Sequence, residues 1–406
     1  MKHNSKLILT FGNYRGLPRT AGRFHMAVAF IGRLPVAMNV IGVLTLVTVI
    51  TGSVSTAAFV SAAQAVSIGI GNPLVGRLCD RCGQRAPVTV IGFCNFLCLC
   101  ALIFLSYLHR PSLWALIGVC APLGLTTVPL GALARVRWYA MAKNPPQLAT
   151  ALSYESTADE LGFVLGPAAV GIISSAFSPV APMILSAAIV LLCVIPFGLI
   201  RRTPAAQTAE KQNKPSPKAG TVLKAVAIPL TAMCCLGMFF GAMQTSTTAF
   251  AYLFEIPGRA GLIYAFMGLG SALTALGAVA LPEQFTQVQR IITGGLGIMI
   301  GAILCSLAAS PLILTVFMFV SGLAIGPASV AIFTLAGDSA PEGGNAFAVT
   351  ALGSMNVCGV STASIAAGRA VSHSAAAGYY VAAAAGLIMA AATGIAALQR
   401  RHRNRI

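Results

Sequence analysis

Charge is what this sequence has least of. Only 9% of its 406 residues are charged and 57% are hydrophobic, whereas a soluble domain carries about 25% charged residues. A single water-soluble core is excluded. Acids are scarcest, 9 against 26 Lys and Arg, and the basic residues sit in short tufts between apolar runs rather than in one patch. Nucleic acid is therefore not expected as a partner. Histidine numbers only 5, with His109 and His373 in loops and His3, His25 and His402 toward the chain ends. No Ser/His/Asp set can be assembled from them, so neither catalysis nor a cofactor is expected. The 11 cysteines are odd in number and most lie inside apolar runs, where Cys behaves as a small hydrophobe. Cys79 and Cys82 form one C-x-x-C without the second pair or histidines that a zinc site needs, so no metal is expected either.

What is present is apolar sequence in helix-length pieces. Twelve runs can be marked, at 27–51, 54–76, 87–108, 113–134, 148–177, 180–200, 222–251, 258–281, 291–309, 311–336, 343–371 and 375–398. A helix of roughly 20 residues crosses the hydrocarbon layer of a bilayer, so the expected fold is all-α and integral to the membrane. The first 25 residues carry Lys2, Lys6, Arg15, Arg19 and Arg23, and the apolar run behind them is too long for a cleavable signal. With this end in the cytoplasm, every basic residue except Arg33, Arg110, Arg259 and Arg369 falls on the inner side. That bias predicts cytoplasmic tails at 1–26 and 399–406 in a multi-pass protein of the inner (cytoplasmic) membrane.

The longest polar stretch, Arg201 to Thr221, contains Pro204, Pro215 and Pro217 and reads as a cytoplasmic linker at 201–221. It separates six runs (27–200) from six (222–398), and a short repeat joins the two sets. Gly124-Leu125 with Pro129 recurs as Gly322-Leu323 with Pro327, and Thr150-Ala151-Leu152 recurs as Thr350-Ala351-Leu352. Two pseudo-symmetric six-helix halves are predicted, an arrangement in which a substrate site lies between the halves near mid-bilayer.

The loop between the second and third runs reads Gly76-Arg77-Leu78-Cys79-Asp80-Arg81-Cys82-Gly83-Gln84-Arg85. It is a tight turn presenting one carboxylate among three guanidinium groups. Asp80 can accept bidentate Arg contacts or sit against the positive N-terminal end of a neighbouring helix, and either contact latches the inner face. Here the chain resembles the major facilitator superfamily, whose signature G-x-L-x-D-R-x-G-x-R is met by Gly76, Leu78, Asp80, Arg81, Gly83 and Arg85. The resemblance implies a twelve-helix rocker-type transporter in which Asp80 stabilises the outward-facing state through the second half. The corresponding second-half loop, Pro282 to Arg290, lacks the pattern.

The fifth run holds Gly162, Gly166, Pro167 and Gly171. At about 100° per residue Gly162 and Gly166 share a face that lets a helix approach closely, and Pro167 permits a bend. The segment resembles the antiporter signature of drug-exporting facilitator families, although Val170 stands where that pattern often has a glycine. Just before it come Glu155, Asp159 and Glu160. Glu155 and Asp159 share the glycine face, expected to meet the other half or the cavity, while Glu160 points elsewhere. Arg135 and Arg137 are the nearest cations in sequence. Proton coupling, with Asp159 as carrier and Glu160 paired to an arginine, and a gate salt bridge without proton traffic both fit.

Uncharged polar residues at Asn39, Gln64, Asn95, Gln244, Thr245 and Asn356 are expected at a cavity, with interhelical bonding as the alternative for each. No acid or base stands among them, which favours a small amphipathic or neutral substrate. The reading is a secondary transporter that works as a monomer in the lipid bilayer, exporting such a compound against inward proton movement. Uptake or facilitated diffusion of a neutral metabolite, and a non-transporting sensor of the same fold, are the alternatives.

Overall fold

The computed structural model describes residues 13–52, 54–108, 111–200, 217–256, 259–282, 284–371, 373–374 and 376–403. Among these, every regular element is helical. Twelve helices are long and apolar enough to span a bilayer: α1 (Arg23–Thr51), α2 (Phe59–Cys82), α3 (Arg85–Ser106), α4 (Leu113–Met141), α5 (Pro145–Ser174), α6 (Ala181–Leu199), α7 (Ala227–Ala251), α8 (Ala260–Ala280), α9 (Gln287–Ser306), α10 (Pro311–Ser339), α11 (Asn345–Val371) and α12 (Ala377–Gln399). In hydrocarbon a backbone must satisfy its own hydrogen bonds, and a helix does so within one segment. The starts are set by short polar residues. Ser112, Asn144 and Ser310 accept from the third residue of α4, α5 and α10, and Thr286 with Gln289 forms a capping box at α9.

The helices pair identically in the two sets of six: α1 with α5, α2 with α4 and α3 with α6, then α7 with α11, α8 with α10 and α9 with α12. The glycines of the sequence repeat sit at equivalent crossings. A Cβ at Gly124 would strike the Gln64 carbonyl of α2, and one at Gly322 the Met267 carbonyl of α8. Each set encloses its own apolar core, around Met38, Leu99 and Phe197 in the first and Phe239, Met318 and Ile325 in the second. The sets meet along two seams, α2 against α11 and α5 against α8. Because the number of spans is even, α1 begins and α12 ends on one face. The tufts of arginine and lysine lie there, and we call it the basic face.

The repeat is not followed everywhere. Span α4 is unwound from Thr126 to Pro129 and α6 holds a π turn at Val190–Val194, whereas α10 continues unbroken through Pro327. The expected segment limits also shift. A short helix, Leu17–Ala21, and the start of α1 lie within the expected N-terminal tail, Ala219–Ala225 begins inside the expected linker, and the last helix runs to Arg403. The basic run at its end favours this extension, since cations stabilise a helix C-terminus. Residues 1–12, 201–216 and 404–406 of the expected tails and linker lie outside the described residues.

The α1–α5 crossing depends on Gly166, where a Cβ would come 2.7 Å from Cβ of Ala37 and 3.3 Å from the Met38 nitrogen. Gly166→Leu is expected to push α5 off α1 and cost about 1–3 kcal/mol, read as a lower thermal midpoint of the purified protein. An unchanged midpoint would mean that the crossing tolerates a side chain.

A candidate gate and coupling site at the basic face

Gly83 adopts φ 72° immediately after α2, a left-handed conformation that glycine takes without strain, and so turns the chain sharply into α3. Asp80, one helical turn earlier, points across the α2–α11 seam. Its Oδ1 accepts from the Ala346 N–H at 3.0 Å and its Oδ2 from Phe347 N–H at 2.8 Å. A carboxylate of the first half thus caps the first turn of a helix of the second, where the unpaired N–H groups and helix dipole favour an anion. Of the two partners expected for Asp80, this is the helix terminus. Contact is close because Gly76 has no side chain: a Cβ there would run into Thr350 and the Ala346 carbonyl. Arg77 lies 6.0 Å from the centre of the Phe347 ring. Arg81 and Arg85 are exposed.

The α5–α8 seam is closed on the same face. Thr157 Oγ1 donates to the Ala272 carbonyl at 3.3 Å, and Tyr139 Oη to the Thr334 carbonyl of α10 at 3.4 Å. A further contact comes from before α1. Leu17 and Ala21 are buried against Trp138 and Ala151, which anchors the N-terminal segment on the first half, and from it Tyr14 Oη donates to the Leu276 carbonyl of α8 at 2.7 Å. Burial pushes the Tyr14 phenol up to about 12, outweighing the opposing hydrogen bond with Ser153, so the donor keeps its proton at neutral pH. No sequence pattern marked this strap.

Behind these contacts lies the charge cluster. Arg33, in the turn at 32–33 that divides α1 into Arg23–Ile31 and Leu34–Thr51, is buried; its guanidinium pairs with the Glu155 carboxylate and its Nε lies 3.4 Å from Asp159 Oδ1. Trp138 Nε1 donates to the other Glu155 oxygen at 2.7 Å. Arg135 Nη1 meets Asp159 Oδ2 at 2.6 Å, donates to Ser156 and stacks 3.6 Å from the Phe333 ring centre of α10. Asp159 rests on α4 at Gly131, where a Cβ would displace the carboxylate. Its side chain is 25% exposed against 1% for Arg135. Glu160 makes none of the ion pairs recorded among the described residues; it faces Ser271 and Tyr264 of α8 across the seam.

Several expectations are corrected. Arg33 joins the acids and Arg137 does not: residues two apart on a helix point about 200° apart. Arg137 instead donates to Gln84 at 2.8 Å and to the Phe197 carbonyl at 2.8 Å, tying the α2–α3 turn to α4 and α6. Glu160 is not the arginine partner; Asp159 takes Arg135. Glu155 is buried, about 15 Å along α5 from its start at Pro145. The glycine face packs on α1, with Gly162 over Arg33 and Gly166 over Ala37, and meets neither the second half nor a cavity. Gly171 has open space around it, and Pro167 lies within an unbroken helix.

The expected cavity residues are dispersed. Asn39 accepts from Ser186 at 2.6 Å, and Asn95 donates to the Leu123 carbonyl at 2.9 Å. Both border a void of about 10 Å³ beside the unwound part of α4, room for one water. Thr245 bonds back to Gly241, Asn356 donates to the Met233 sulfur at 3.7 Å, and Gln244 is exposed. Gln64 is buried, and neither of its amide atoms has a hydrogen-bond partner among the described residues.

Replacing Asp80 by Asn keeps the side-chain shape and removes the charge from the capping bonds, a loss on the order of 1 kcal/mol and several-fold in population. The expected result is a folded protein in which single-cysteine reporters become more reactive at the basic face and less so at the opposite one. Tyr14→Phe should shift both in the same directions by a smaller amount. Unchanged reactivity at both faces would separate these contacts from gating.

Similarity to known proteins agrees with this geometry. No curated protein sequence matches the chain. Among solved structures, the human organic anion transporter MFSD10 (TETRAN) superposes with a TM-score of 0.70 at 16% identity, covering 91% of this chain and 99% of its own. The proton:xylose symporter XylE, bound to 6-bromo-6-deoxy-D-glucose, gives a TM-score of 0.63 at 13% identity over 90% of this chain and 94% of its own. At such identities the likeness concerns the fold. The sequence pattern of the Major Facilitator Superfamily, however, matches residues 26–367, and the chain belongs to that superfamily.

Proposed function

We propose that this protein is a secondary transporter working by alternating access, and that it exports a small amphipathic or neutral compound in exchange for protons. The observation that carries the reading is a cluster of three carboxylates, Glu155 buried and Asp159 and Glu160 half-buried, with two buried guanidinium groups beside a seam closed by contacts between the halves. Ionisable groups at membrane depth are costly and are kept where ions or protons move. A carboxylate whose surroundings change between two conformations binds a proton in one and releases it in the other. The positive-inside bias makes the basic face cytoplasmic, with both chain ends inside the cell and the protein in its inner membrane. We read 27–200 and 222–398 as the two moving halves, joined by the linker, with the Asp80 cap and the Tyr14 strap holding the inner gate shut.

A second reading, uptake or facilitated diffusion of a neutral metabolite, is favoured by the direct pairing of Glu155 and Asp159 with arginines. In it the cluster is only a gate. An organic anion, the substrate class of the human transporter MFSD10, fits less well, because carboxylates outnumber guanidinium groups in the cluster.

The test is proton flux. In inverted vesicles carrying the full chain and an imposed pH gradient, a pH-sensing dye should respond to amphipathic or neutral members of a panel that also holds cationic and anionic compounds. The response should vanish in the triple variant Glu155→Gln, Asp159→Asn, Glu160→Gln. A response that survives in the triple variant would leave the cluster as a gate alone.

A further inference from the structure

We infer that Glu160, rather than Asp159, is the carboxyl that takes up and releases the coupled proton, with Ser271 and Tyr264 of the opposite half as the groups that sense whether the seam is shut. The inference deepens the proton-coupled reading above and rests on it.

Charge balance comes first. Arg33 and Arg135 face Glu155, Asp159 and Glu160, one carboxylate more than there are guanidinium groups. Glu155 is held by Arg33 and Trp138, and Asp159 by Arg33 and Arg135, so both arginines are committed. Phe333 covers Arg135 and fixes it further. The unbalanced carboxylate is Glu160. In a site shielded from water, an unpaired carboxylate is the one for which neutralisation by a proton gains most.

Position comes second. Glu160 sits in the α5–α8 seam between two contacts that bracket it. On one side Thr157 bonds to the Ala272 carbonyl, and on the other Val164 packs so closely on Gly268 that a Cβ there would come within 2.7 Å. Those two contacts turn Glu160 toward the stretch of α8 that carries Tyr264 and Ser271, and the buried Ser271 hydroxyl has no hydrogen-bond partner among the described residues. The charged groups around it are Asp159 on its own helix and Arg135 from α4; the acid of α10, Asp338, lies at the basic end of that helix, beside Tyr139. Asp159 and its arginines belong to the first half, although Arg135 also stacks on Phe333 of α10. Of the three carboxylates, Glu160 is the one that itself lies between contacts to the second half. Parting α5 from α8 admits water, which stabilises the carboxylate, and closing the seam excludes it. The proton is held with the seam shut and released when it opens to the basic face. No bond other than the carboxyl O–H is made or broken, and the proton passes to and from water.

The test uses the purified full chain in lipid nanodiscs, with no substrate required. Infrared difference spectra across a pH titration should show the carbonyl stretch of a protonated carboxylic acid. Glu160→Gln should abolish this band, Glu160→Asp should move it, and Asp159→Asn should leave it in place. If the Gln variant folds poorly, Ser271→Ala in the native background should displace the titration midpoint by roughly half a pH unit, the worth of one hydrogen bond. A band that persists in Glu160→Gln, or a midpoint untouched by Ser271→Ala, overturns the assignment. A band that disappears in Asp159→Asn yet remains in Glu160→Gln moves the proton to Asp159. Dye measurements on the same variants separate the two levels of the account: a titrating Glu160 without gradient-driven flux contradicts the coupling reading, and flux that survives Glu160→Gln contradicts only this residue.

Discussion

The structure turns on Arg33. It is a buried cation at the break in the first span, and such a charge is tolerated only with partners in hydrogen-bonding geometry. Meeting that requirement draws Glu155 and Asp159 of α5 onto α1, and Asp159 then draws in Arg135 and α4. The glycines at 162 and 166 let α1 and α5 approach closely enough for the pairs to form. One polar constraint therefore sets how three helices of the first half sit together, and of the three acids of α5 it leaves Glu160 toward the second half.

The two halves share helix pairing but not chemistry. In the first, the polar side chains form ion pairs, and α4 is unwound for four residues beside them. The second contributes backbone to the closed face: the N–H groups of Ala346 and Phe347, and the carbonyls of Leu276, Ala272 and Thr334. Backbone acceptors and donors move rigidly with their helices, so under the proposed rocking of the halves these contacts would break together. That division suits an alternating mechanism, in which each contact must differ in energy between two states to bias their populations.

Much of this was legible in the residues. Hydrophobic runs and basic tufts gave twelve spans, because backbone satisfaction in lipid leaves helix as the one open-ended solution. Asp80 stood out as the lone acid in a basic turn, and its place against a helix N-terminus was one of two options the chemistry allowed. The acids of α5 were found, and of their partners Arg135 but not Arg33. Sequence proximity offered Arg137 equally, whereas the pairing depends on which way successive residues point on α4 and on α1 lying alongside α5. Arg33 did carry a signal, being an arginine within an apolar run. Tyr14 carried none, since its partner is a backbone carbonyl far along the chain. The cavity residues illustrate the same limit: a polar residue in a span must find a partner, but Asn39 and Asn95 find it within their own half.

The central claim is that the α5–α8 seam opens and closes at the basic face. It is tested most directly by the distance between spin labels at Leu148, near the start of α5, and Ala280, at the end of α8, in an otherwise cysteine-free protein in nanodiscs. Double electron–electron resonance across a pH series should show two distance populations whose ratio shifts with pH, the shorter matching the closed structure. A single distance, unchanged at every pH and in Glu160→Gln, would contradict the account.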